Sequence, residues 1–197
     1  MLNRDEQGEL IHKRYFGTGK VSAFRSEYYT GEALLALLSM YAVSGEQMWL
    51  DETLSVERAL AGIDYGVAEQ SHWMLYALEL LQLHAETELA YEHAAKIARN
   101  ILSNGLYLSW GRSTPIACRS EGLMAFVRMK HPENIEAVRL RDACLAQVES
   151  NLCKQLECRR SDGSFVRGGQ DQRHNEVRID YIQHNISAFL HFHRYTG

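Results

Sequence analysis

Proline is nearly missing from this chain. Two occur in 197 residues, Pro115 and Pro132. So few breakers leave long stretches free to be helical. Both sit where a helix would begin, in a first turn whose N–H groups have no intrahelical partner anyway. A basic excess is missing too. Lys and Arg number 21 against 25 Asp and Glu, for a net charge of −4, and the densest basic run is only Arg159-Arg160. A nucleic acid wants a clustered basic face, and an anionic membrane surface wants a polybasic one, so neither is expected as a partner.

No stretch approaches the roughly 18–20 consecutive apolar residues of a membrane span. The opening Met1-Leu2-Asn3-Arg4-Asp5-Glu6 is polar, without the apolar core of a signal peptide. The expectation is a soluble, cytoplasmic protein. Cysteine is sparse: Cys118, Cys144, Cys153 and Cys158, with no C-x-x-C pair. These are expected to be reduced, small core residues, and neither a metal nor a cofactor is expected. Phe16-Gly17-Thr18-Gly19-Lys20 lacks the length and the following Ser/Thr of a phosphate-binding loop. No D-x-D-D or Asp-rich metal motif of a terpenoid-type cyclase is present.

What the chain does have is helical periodicity, on an ordinary apolar fraction of 46%. Apolar residues recur at helix spacing over about 31–43, 47–61, 68–83, 88–102, 115–129, 132–157 and 180–195. Thr30 reads as the first N-cap and Gly45 as the first stop. Odd-numbered segments are apolar nearly all round, even-numbered ones amphipathic, which predicts buried inner helices paired with half-wet outer ones. The short connections predict antiparallel hairpins. The fold class is therefore all-α, in a single domain over 1–197.

An internal repeat runs through the inner helices. Glu32-Ala33-Leu34-Leu35-Ala36-Leu37 aligns with Glu121-Gly122-Leu123-Met124-Ala125-Phe126, with His184-Asn185-Ile186-Ser187-Ala188-Phe189, and with Trp73-Met74-Leu75-Tyr76-Ala77-Leu78 after His72. In each copy a polar or aromatic residue opens the motif and a small residue follows. Ala36, Ala125 and Ala188 are expected at close helix contacts. A second repeat pairs residues 5–12 with residues 160–167, each a glycine turn before a short apolar stretch. It predicts short β-ribbons over the inner helices' N-termini.

The turn Gln155-Leu156-Glu157-Cys158-Arg159-Arg160-Ser161-Asp162-Gly163-Ser164-Phe165 resembles those of α/α toroid proteins. The hairpin Tyr29-Thr30-Gly31-Glu32-Ala33-Leu34-Leu35-Ala36-Leu37 with Ser44-Gly45-Glu46-Gln47-Met48-Trp49-Leu50 resembles the six-hairpin glycosidase-like group. That resemblance implies a carbohydrate-active or carbohydrate-binding domain of glycoside hydrolase, lyase or epimerase type. A full ring of that group has about twelve helices and this chain about seven. It is thus expected to be an incomplete toroid, a fragment, or a partial ring completed by a second copy or another partner.

By the repeat, the chemistry-bearing residues lie at inner-helix N-termini. Glu32, Glu121, Asp180 and His184 are the catalytic candidates. Carboxylates suit acid–base work on a glycosidic bond, and a histidine suits proton transfer. Tyr29, Glu69, His72, Trp73, Arg119, Arg178 and Tyr181 are candidates for holding a saccharide, the aromatic rings as stacking platforms. Simpler roles compete: a carboxylate in a first helical turn is stabilised by the free N–H groups there, and Arg119–Glu121 and Arg178–Asp180 would make ordinary ion pairs. The polar loop 168–178 reads as a cover over the inner-helix face. The alternative to a sugar protein is a non-catalytic scaffold whose concave face binds a protein or peptide.

Overall fold

The computed structural model describes residues 3–6, 8–85 and 87–197. The protein is all-α. Among the described residues the helices are α1 (Tyr29–Ser44), α2 (Gln47–Gly62), α3 (His72–Ala85), α4 (Glu88–Ser103), α5 (Leu106–Ser109), α6 (Ser113–Arg128), α7 (Ile135–Leu156) and α8 (Ile179–Thr196). None is long and apolar enough to cross a membrane. The expected ribbons are single antiparallel bridges, among them Arg4–Leu10 and Arg159–Phe165. The chain divides into two compact units, Met1–Ile97 and Ala98–Gly197.

In the first unit α1 packs on α3 and α2. Gly45 ends α1 in the left-handed region, φ 69°, its N–H donating to Tyr41 O at 2.8 Å, as a C-terminal glycine should. The start differs from expectation. Tyr28, not Thr30, holds the cap position, and Thr30 is fully buried inside the first turn. The close approach of α1 to α3 rests on Gly31: a Cβ there would lie 2.6 Å from the Trp73 carbonyl carbon and 2.7 Å from Met74 N. Leu34 and Leu38 share that face and are buried. Ala36, five residues on, falls on the far side and is exposed. The small residue at this crossing is therefore Gly31 and not Ala36. α3 begins at His72, later than the periodicity predicts. Asp64, Gly66 and Gln70 all take positive φ (52°, 77° and 56°) and break the helix before it.

In the second unit α6 packs against both α7 and α8. α6 is apolar on nearly every side: Ile116, Leu123, Met124, Ala125 and Phe126 are all essentially buried. Ala125 and Ala188 are both 0% exposed. α6 starts at Ser113, two residues before Pro115. The Ser113 N–H donates to Arg167 O at 2.8 Å and its hydroxyl to Val166 O at 2.7 Å. α7 starts at Ile135, later than Pro132, because Asn134 caps it by accepting the Ala137 N–H at 2.9 Å.

Gly31 and Ala36 separate the crossing from the repeat. Gly31→Ala is expected to destabilise by about 1–3 kcal/mol, since the clash is with backbone that cannot rotate away. Ala36→Leu is expected to stay within about 0.5 kcal/mol of the parent. Urea denaturation of both variants checks the pair. An Ala36→Leu variant less stable than Gly31→Ala would contradict the crossing described.

Candidate functional site

Two constellations stand out, one in each unit. The first is a cavity in unit 1 of about 190 Å³, lined by Glu9, Arg25, Ser26, Glu27, Tyr65, Gly66 and Glu69. Its wall is built by a chain of hydrogen bonds. The Ser26 N–H donates to His12 Nδ1 at 2.7 Å. That leaves the neutral ring's hydrogen on Nε2, 2.9 Å from Thr30 Oγ1. The Tyr65 hydroxyl donates to the same oxygen at 3.0 Å. Burial, helped by the nearby Arg25 charge, lowers the His12 pKa from 6.5.

The backbone of Tyr65 is held by a second chain. His93 Nε2 lies 2.8 Å from Tyr65 O, and a carbonyl only accepts, so this nitrogen carries a hydrogen. His93 Nδ1 is 2.7 Å from Glu57 Oε1. Both side chains are 1% exposed. Neither residue was singled out in the sequence, where Glu57 and His93 read as polar positions on amphipathic helices.

Beside Glu27 in sequence begins a run of rings. Tyr28 lies 6.1 Å from His72, His72 5.2 Å from Trp73, and Trp73 5.9 Å from Tyr76, centroid to centroid. His72 is buried, while Tyr28 is 49% exposed. Tyr29 is also exposed and packs against His12 and Phe24. Glu32 sits in the first turn of α1, exposed to solvent.

The second constellation joins α6 to α8 in unit 2. Glu121 is 1% exposed and His184 Nδ1 lies 2.8 Å from its Oε2. Cys118, three residues before Glu121 on the same helix face, is buried beside them. One donor atom from each of the three lies within 4.8 Å of the others. Burial by itself disfavours charge on the His184 ring. Hydrogen bonds to Cys118 and Glu121, and their charges, outweigh it and raise His184 to about 10. At neutral pH the ring keeps its proton, so it is an acid or a cation here rather than a base.

Helix register explains why this site differs from the repeat. α6 begins eight residues before Glu121, which places the carboxylate more than two turns inside the helix and not at its N-terminus. The helix dipole cannot then be its partner, and His184 is. Cys118 was missed because its signal is a C-x-x-E spacing on one helix, met by a histidine far along the chain.

The remaining candidates have local partners. Asp180 pairs with Arg178 Nε at 3.1 Å, and the Arg178 guanidinium lies 5.4 Å from the Tyr181 ring. The Tyr181 hydroxyl donates to Glu176 at 2.7 Å. The Arg119 guanidinium lies over the Tyr107 ring at 5.7 Å. The 168–178 loop is tied down by Asp171, which pairs with Arg167 and with Arg112.

No family model, curated protein or solved structure matches the chain.

Removing one member of the Glu57–His93 pair leaves a buried polar group alone. His93→Ala is expected to cost about 3–5 kcal/mol, and the double variant Glu57→Leu/His93→Leu to recover much of that. Chemical denaturation of the single and double variants decides whether the loss is the orphaned carboxylate. The His12 network carries a pH signature. With a folded pKa below 6.5, its contribution is whole above that pH and is lost as pH falls toward the lowered value. The melting temperature of the parent should therefore fall more than that of His12→Gln between about pH 7.5 and pH 5. Parallel curves would show that His12 is not the sensitive group.

Proposed function

We propose that this chain is a carbohydrate-binding helical-hairpin domain of α/α-toroid type, with its saccharide site in the unit 1 cavity. The observation that carries the reading is the meeting of polar and aromatic surface at the N-terminal ends of α1 and α3. Three carboxylates, Glu9, Glu27 and Glu69, line the cavity with Arg25 and Tyr65. The ring run from Tyr28 to Tyr76 starts at the next residue. Carboxylates accept hydrogen bonds from sugar hydroxyls, and a ring face packs on the apolar face of a pyranose. Of the saccharide-binding candidates, Glu69 lines the cavity, Trp73 and His72 belong to the ring run, and Tyr29 lies beside it.

The balance of charge narrows the ligand. Three carboxylates against one guanidinium favour a neutral or amino sugar and oppose a uronic acid, whose own carboxylate would be repelled. All four cysteines are free thiols, which suits a reducing, cytoplasmic setting. The alternative reading, a scaffold for a protein or peptide, finds its support on α8. Ile179, Ile186 and Leu190 are exposed there at 81%, 45% and 46%.

A thermal-shift titration tests the choice. Neutral and amino oligosaccharides should raise the melting temperature of the parent, and uronic acids should not. Glu69→Gln and Trp73→Ala, folded by circular dichroism, should lose about tenfold or more in affinity, roughly one good contact each. A cooperatively melting chain that no sugar shifts would reject the saccharide reading in favour of the scaffold.

A further inference from the structure

We infer that Cys118, Glu121 and His184 form a binding site for a divalent transition-metal ion of the zinc class. This lies in the second unit and goes beyond the saccharide reading, on which it does not depend.

The donors come from two helices of one unit. Cys118 and Glu121 project from one face of α6 at i, i+3 spacing, and His184 meets them from α8. Their donor atoms already lie within 4.8 Å of one another. Ligand atoms on a tetrahedral zinc sit roughly 3.4–3.7 Å apart, given bond lengths of about 2.0–2.3 Å. That gap is of the size side-chain rotation spans. The Glu121–His184 contact at 2.8 Å would open slightly as the ion replaces the proton between them.

The chemistry of the set selects the ion. A thiolate, a carboxylate and an imidazole are together too soft for calcium or magnesium, which take oxygen alone. Thiolate and carboxylate carry two negative charges. A divalent ion with a neutral imidazole closes the site at zero net charge, which a buried position requires. Glu121 is 1% exposed and Cys118 7%, whereas the His184 side chain keeps 16%, so the ion has a route in.

A packing role alone does not account for the set. The flanking α6 residues Leu123, Met124, Ala125 and Phe126 are buried hydrocarbon or thioether. Leucine at position 121 would fill the same space without a carboxylate to neutralise.

The test is titration of the full chain, without saccharide, with cobalt(II) and then zinc(II). The expected result is one cobalt per chain with a thiolate-to-cobalt charge-transfer band and the strong visible bands of four-coordinate cobalt, both displaced by zinc. Cys118→Ser should abolish the charge-transfer band, and Cys153→Ser, which alters an exposed thiol, should leave it. Glu121→Gln and His184→Ala should weaken zinc by about a hundredfold or more, beyond what loss of an outer partner costs. X-ray absorption of the zinc-loaded parent needs no variant to fold, and should show one sulfur among nitrogen and oxygen donors. Absence of stoichiometric uptake, a band that survives Cys118→Ser, or a zinc shell without sulfur would overturn the site.

Discussion

A carboxylate taken out of water must have a partner for its charge, and among the described residues two such carboxylates stand out. Glu57 and Glu121 sit inside helices with 0% and 1% of their surface exposed. Each is answered by one imidazole, at 2.7 Å and 2.8 Å. One pair lies in each unit. An unpaired carboxylate in such places would cost several kcal/mol, comparable to a large part of a domain's net stability. The helices that carry these residues are thus tied to the helices that carry the histidines.

The two pairs end differently, and that difference separates support from chemistry. His93 spends its second nitrogen on the Tyr65 carbonyl, a main-chain acceptor that can do nothing further. The result is positional: Tyr65 is held, its hydroxyl reaches Thr30, and Thr30 and His12 fix the cavity wall. His184 instead shares its surroundings with a thiol and keeps part of its surface open to solvent. A soft donor, a hard donor and an imidazole converging at one place constitute a ligand set. Support in the first unit and a donor set in the second follow from the same electrostatic demand.

The helices were legible because their cause is local. Apolar residues at 3.6-residue spacing, Gly45 as a stop and few prolines place α1, α2 and α4 to within two residues. Crossings were less legible, because they depend on which residue faces a neighbour. The repeat pointed to Ala36, but the contact falls on Gly31, five positions earlier on another face. The candidate site was legible as residues and not as geometry. Glu121 and His184 were both singled out and do meet. Their reason for meeting is a buried ion pair two turns into α6, which no helix-start pattern encodes. Glu57 and His93 gave no signal, since a polar residue on an amphipathic helix reads as solvated until a neighbouring helix covers it.

The polar residues at these positions are not explained by stability alone. An apolar pair of similar volume often replaces a buried ion pair at no loss, and sometimes with gain. At Glu57 and His93 that exchange would free the Tyr65 carbonyl from its donor and loosen the cavity, so the polar pair is retained for what it positions. At Glu121 and His184 an apolar exchange removes the donor set itself, in which a buried thiol, a carboxylate and an imidazole face each other.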